Sequence, residues 1–246
     1  MPLVHATAIV ESGAELAGDV EIGPFAVVGA GVRLGPGCRV HAHAVLAGPL
    51  VLGARNVVHS FAVLGGAPQH KKPGGVTHVE VGDDNTFREH VTVHRGTRQP
   101  TRIGSGNLFM AQAHVAHDVE IGSACTIANA VQLAGHVVVE DHATFGGLAG
   151  VAQFVRVGEG AFVAAGAMVE RDVPPFCIVQ GDRARVRAVN RVGLERQGVP
   201  AESVREIERV FRAVFASKRP RAEVLATLTT DDAFAARLLR ALRTSS

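Results

Sequence analysis

The stretch from residue 20 to residue 46, V-E-I-G-P-F-A-V-V-G-A-G-V-R-L-G-P-G-C-R-V-H-A-H-A-V-L, decides the fold. Every sixth residue is aliphatic: Ile22, Val28, Leu34, Val40 and Leu46. The phase reaches back to Val4 and forward to Leu64. It breaks, resumes from Val81 to Val93, breaks again, and runs from Ile103 to Val169. No polar residue occupies a phase position. A small residue often stands two places earlier, as at Ala26, Ala44, Ala62, Ala113 and Ala143, and Gly often follows, as at Gly23, Gly35, Gly53 and Gly122. Each hexad reads as one short strand and one corner, with the aliphatic side chain inside. Three hexads close a triangular coil of about 18 residues, so the chain is expected to be mainly β, a parallel β-helix. The glycines are expected to supply a positive φ at the turns.

The two phase breaks read as loops. About eleven residues are inserted near Gly66–Val76, and about four between Val93 and Ile103; insertions of this kind gather on one face of a repeat protein, often the binding face. The first carries Lys71 and Lys72. After Val169, Pro174 and Pro175 are expected to end the repeat. From Val186 the period reads as helical, with Val204, Ile207, Val210, Phe211 and Val214 on one face. The expected division is a β-helix over 1–185 and a small helical domain over 186–246.

Composition narrows the function. Of 246 residues 47% are hydrophobic, there is no Trp or Tyr, and the net charge of +2 is too small to imply nucleic acid. Cys38, Cys125 and Cys177 are odd in number without C-x-x-C spacing, which speaks against a disulfide framework or zinc knuckle and for a reducing compartment. No signal peptide or long apolar run is apparent, so neither export nor membrane insertion is expected.

The segment A-H-V-A-H-D at 113–118 gains meaning from the repeat. One coil beyond His117 is Gly135, beside His136, and two coils beyond is Gln153. These should stack at one corner, with Gly135 leaving room for a ligand. A neutral imidazole there suits a general base near pH 7. No nucleophile elbow or neighbouring Cys suggests a covalent intermediate. A substrate hydroxyl deprotonated by His117 would then attack directly, with a backbone N–H at Gly135 as the candidate oxyanion donor. Asp118 can orient a histidine only if the corner turns it back.

The hexads resemble the left-handed hexapeptide-repeat β-helix. Beyond them, H-R-G-T at 94–97, N-L-F-M-A-Q-A-H-V-A-H-D at 107–118, L-A-G-H at 133–136, Gln153-Phe154, D-V-P-P at 172–175 and Gly193, Leu194 and Arg196 are similar to the UDP-N-acetylglucosamine acyltransferase family over essentially the whole chain. The resemblance implies a cytoplasmic homotrimer without a cofactor or metal. It implies transfer of a 3-hydroxyacyl chain from acyl carrier protein to the sugar nucleotide's 3-position, opening lipid A synthesis. It makes His117 the base, and places His114, His136, Gln153, Lys72, Asn190 and Arg196 around substrate and donor, with the active sites between subunits. Four positions depart from the pattern. His70 replaces a usual Asp, Ala152 a usual His, and Val192 an acidic residue. Ala165 stands where a Gly limits acyl length, and would shorten the acyl pocket. His70 and Ala152 leave a 3-amino sugar open as acceptor. Arg183, Arg185, Arg187, Arg191 and Arg196 form a candidate docking patch for an acidic carrier. The alternatives are a zinc enzyme of carbonic-anhydrase type, whose histidine spacing is missing, and a non-catalytic trimeric scaffold.

Overall fold

The computed structural model describes residues 1–71, 75 and 77–244. Strands of two to four residues stack in parallel with an 18-residue register, Leu3 beside Glu21 and Val4 beside Ile22. They form three faces. The first runs from Leu3–Val4 to Phe162–Val163, the second from Ile9–Val10 to Met168–Val169, the third from Glu15–Leu16 to Arg156–Val157. From Ile22 to Val169 every phase position is buried, and Phe87 stacks on Phe109 inside at 4.8 Å. Val4, at the open first coil, is 39% exposed.

Polar atoms also run up the interior. At the position two before the aliphatic, Asn56, Asn85 and Asn107 are buried on consecutive coils of the first face. Asn56 Oδ1 accepts from the backbone and side-chain amides of Asn85, each at 3.0 Å, and Asn85 Oδ1 does the same for Asn107 at 2.9 Å. Asn107 Oδ1 then accepts from Cys125 N at 2.8 Å. Buried polar groups persist where each finds a partner, and this ladder joins coils that apolar contact alone would let slip.

The glycines act differently from the expectation. Gly23, Gly35, Gly53 and Gly122 do not have positive φ. A Cβ on Gly35 would lie 2.6 Å from the Gly53 backbone, and one on Gly122 2.9 Å from Asp141 N. They permit close approach between coils. The left-handed backbone falls later in each corner, mostly on residues with side chains, such as Phe25, Asp118, His136 and Phe154.

Pro174 and Pro175 do not end the parallel stack. Cys177–Gln180 still pairs with Phe162–Val163, Ile178 beside Phe162. The tail also departs from a helical reading at Val186: Arg185–Val189 is a strand, antiparallel to Cys177–Gln180. A β-rich run of Val186 and Val189 with a free neighbouring strand edge outweighs a weak helical period. Four helices follow: α1 (Arg191–Arg196), α2 (Ala201–Phe215), α3 (Arg221–Thr227) and α4 (Ala233–Thr244). They enclose a second core of Phe176, Leu194, Ile207, Val210 and Leu238. Asp232 Oδ1 caps the start of α4 by accepting from Ala235 N at 2.8 Å. An Arg237–Glu159 pair at 2.6 Å ties α4 to the β-helix. Among the described residues no helix is long and apolar enough to cross a membrane.

Candidate active site

Both loops leave the second face and rejoin the third. One lies between Val63–Gly66 and Val79–Val81, the other between Thr92–His94 and Thr101–Ile103. The next coil turns the same corner at His117-Asp118, between His114–Val115 and Glu120–Ile121. The insertions and the histidine pair therefore share one edge of the prism.

Asp118 adopts φ +60°, and this turn swings its carboxylate back beside His117. His117 Nδ1 lies 2.7 Å from Asp118 Oδ2, with both residues buried. The second loop encloses the carboxylate. Oδ2 also accepts from Thr97 N and Thr97 Oγ1, each at 2.8 Å. Oδ1 accepts from Arg98 N and Gln99 N, each at 2.9 Å. Burial alone would raise the Asp118 pKa, but the amides of Gln99, Arg98 and Thr97 and the His117 ring outweigh it and hold it well below the usual carboxylate range. Thr101 Oγ1 accepts from Asp118 N at 3.0 Å. An ionised acceptor at Nδ1 fixes the proton there, which leaves Nε2 of His117 as the free base.

The ring of His117 lies over Gly135. A Cβ on Gly135 would stand 2.6 Å from Cε1 and 2.8 Å from Nε2 of His117. The place that a Gly135 side chain would fill is thus taken by the base itself. His136, next along, donates its backbone N–H to His117 O at 3.1 Å, and its Nε2 is 3.8 Å from Asp118 Oδ2. Its ring is edge-on to His117 at 5.3 Å and stacks on Phe154 at 4.7 Å. Gln153 is exposed one coil further, on the wall of a groove of about 480 Å³ shared with Phe154, Arg171 and Arg185.

His70, on the first loop, sets its ring edge-on to His117 at 5.4 Å. Lys72 lies outside the described residues. His114 is half-buried, with Nδ1 2.7 Å from Thr92 Oγ1 and its ring edge-on to His94 at 5.2 Å. Burial, then the neighbouring His94, lowers its pKa. His114 shares a mainly apolar groove of about 570 Å³ with Ala152, Gly150 and Met168.

The remaining candidates lie elsewhere on the chain. Asn190 and Arg196 line a groove of about 570 Å³ against Thr126, Thr144 and Phe162 of the first face, opposite the His117 corner. Asn190 caps α1: Oδ1 accepts from Gly193 N at 3.1 Å, and Nδ2 donates to Gly160 O at 2.9 Å. Val192 is exposed in the same groove. Ala165 is exposed at the corner between the first and second faces, against Gly146. Sequence reasoning did not find Thr97, Arg98, Gln99 and Thr101. Their signal was the short insertion, whose amides point at Asp118.

A family model described as UDP N-acetylglucosamine O-acyltransferase, domain 2, matches residues 172–246. An acyl-[acyl-carrier-protein]–UDP-N-acetylglucosamine O-acyltransferase of Anaeromyxobacter dehalogenans is 52% identical over 232 residues, 93% of this chain and 90% of the relative. The chain belongs to that family. Within the family, a protein of the same name from Herminiimonas arsenicoxydans is 44% identical across 99% of this chain and 96% of its own. Solved family structures superpose closely. The UDP-N-acetylglucosamine O-acyltransferase of Moraxella catarrhalis gives a TM-score of 0.93 at 32% identity, covering 99% of this chain and 97% of its own. The Acinetobacter baumannii structure gives the same score and identity, covering 99% and 98%. The family's fold is the left-handed β-helix with a helical C-terminal part, and the chain is an acyltransferase.

Proposed function

We propose that the chain transfers a 3-hydroxyacyl group from acyl carrier protein to the 3-hydroxyl of UDP-N-acetylglucosamine, the step that opens lipid A synthesis. The observation that carries this reading is the His117–Asp118 pair at 2.7 Å, clamped by the Thr97–Gln99 amides. Nε2 of His117 takes the proton of the sugar hydroxyl as its oxygen attacks the thioester carbonyl. The Gly135 backbone N–H is the candidate donor to the resulting oxyanion. The tetrahedral intermediate then collapses, the C–S bond breaks, and the departing thiolate takes the proton from His117. The thioester supplies the driving force, so the step needs no cofactor.

Placement of the other residues favours a homotrimer with shared sites. Asn190 and Arg196 lie across the prism from His117. One chain cannot bring both sets to a single sugar nucleotide, whereas a neighbouring copy can present its first-face groove to the His117 corner. His70, Lys72, His114, His136 and Gln153 then bind sugar and donor from one subunit, and Asn190 and Arg196 from the next. Ala165 bounds the acyl chain. Arg183, Arg185, Arg187, Arg191 and Arg196 are all exposed and suit an acidic carrier arriving from the cytoplasm. The test is a panel of 3-hydroxyacyl carrier proteins with UDP-N-acetylglucosamine and its 3-amino analogue, with products identified by mass. An ester of the natural sugar is expected. Product only with the amino sugar would reassign the acceptor, and none with either would refute the reading.

A further inference from the structure

Behind the base, three donor atoms converge. One nitrogen each from His117 and His136 and one carboxylate oxygen of Asp118 lie within 4.8 Å of one another. We propose that these three residues form a binding site for a divalent transition-metal ion of the zinc class, which switches the base off by replacing the proton on His117 Nδ1. Two imidazoles and a carboxylate are a donor set that zinc accepts, leaving one tetrahedral place for water. Donors around tetrahedral zinc stand roughly 3.3 Å apart, given bonds of about 2.0–2.1 Å. Here Nδ1 of His117 is 2.7 Å from Asp118 Oδ2, and Nε2 of His136 is 3.8 Å from it. One pair has to open and the other to close, each by about half an ångström, to admit the ion.

The surroundings hold the ligands in place. The Thr97 N–H and Oγ1 bonds to Asp118 Oδ2 stay as outer-shell contacts once the metal takes the third position on that oxygen. His136 is fixed by its backbone bond to His117 O and by the face of Phe154. The ion takes Nδ1 of His117, whose proton moves through solvent to Nε2, so no proton is lost overall and no oxidation state changes. With Nδ1 metallated and Nε2 protonated, His117 has no free nitrogen to act as a base.

Binding is independent of the acyltransferase reading, and only the inhibition rests on it. The experiment is calorimetric titration of the untagged full chain with zinc chloride at neutral pH, alongside His136→Asn and Asp118→Asn. Asn tolerates the left-handed φ of +62° and +60° at these positions, so both corners can form. The expected result is one zinc per chain, at least about tenfold weaker in either variant, in line with lost ligands or their support. Zinc should also inhibit acyl transfer by the wild type at matching concentrations, reversibly on adding a chelator. Absence of binding tighter than about 100 µM would overturn the site. So would equal binding by wild type and both variants, which would put the ion at another histidine group. Zinc bound here without loss of transfer would overturn the switch. If the wild type transfers no acyl group, the acyltransferase reading fails while the calorimetry still decides the metal site.

Discussion

Replacing Asp118 by Asn tests how the base is set. The carboxylate accepts five hydrogen bonds from four residues, and every one comes from a donor. An Asn keeps one oxygen and places an NH2 group where the other stood. If the NH2 faces Arg98 and Gln99, two backbone donors lose their acceptor. If it faces Thr97 and His117, the ring must turn its proton to Nε2 to accept from the amide, and the base is lost. Bonds to a charged group contribute about 1.5–3 kcal/mol each but are not additive, so a net destabilisation of about 2–4 kcal/mol is expected. The wrong tautomer costs on the order of 10³–10⁴ in rate in the serine-protease triad that shares this geometry. The assay is initial-rate acyl transfer by Asp118→Asn, with chemical denaturation to measure stability. The pH dependence adds a second check. The Asp118 pKa is depressed by folding, so its stabilisation is complete above the unfolded carboxylate value near 4 and lost as pH falls through the folded value. The variant should lack that acid-side loss. More than about a tenth of wild-type rate in Asp118→Asn would refute the tautomer argument.

Gly135→Ala should cut the transfer rate at least about a hundredfold, because its Cβ would stand 2.6 Å from His117 Cε1 and push the ring aside; steady-state kinetics with unchanged circular dichroism checks this. Asn85→Leu breaks the interior ladder: Asn107 N–H loses its acceptor and Gly104 O its donor, while Asn56 Oδ1 keeps only the backbone N–H of residue 85. It should cost about 3–5 kcal/mol on denaturation, at about 1–3 kcal/mol for each orphaned group. Stability should also fall with pH from about 6.5 downward, since burial and His94 lower the His114 pKa and the unfolded chain takes up the proton first. His114→Asn should make that slope shallower in denaturation series run between pH 5 and 7, against wild type as reference.

The β-helix was legible because its constraint is strictly periodic. One inward aliphatic per hexad leaves a signal that needs no tertiary information, from Ile22 through Val169. The stacking of His117, Gly135, His136 and Gln153 followed from the same arithmetic. What the period could not show was the inside of each corner. Gly135 reads as a gap in a linear chain, yet the neighbouring coil fills it with the His117 ring. Arg98 and Gln99 act through backbone amides, which carry no side-chain signature, and Thr97 adds its hydroxyl to its amide. The tail was misread at Val186 because a strand edge left by Cys177–Gln180 recruited it. Asn190 and Arg196 were named through family resemblance, and they lie across the prism from His117.

The most direct test of the account is acyl transfer by His117→Gln beside wild type, using 3-hydroxyacyl carrier protein and UDP-N-acetylglucosamine with the product followed by mass. The account predicts a 3-O-acylated sugar nucleotide from the wild type. It predicts a loss of about 10²–10⁴-fold in the variant, the range for removing a general base, with folding intact. Product formation by His117→Gln within about threefold of wild type would contradict it.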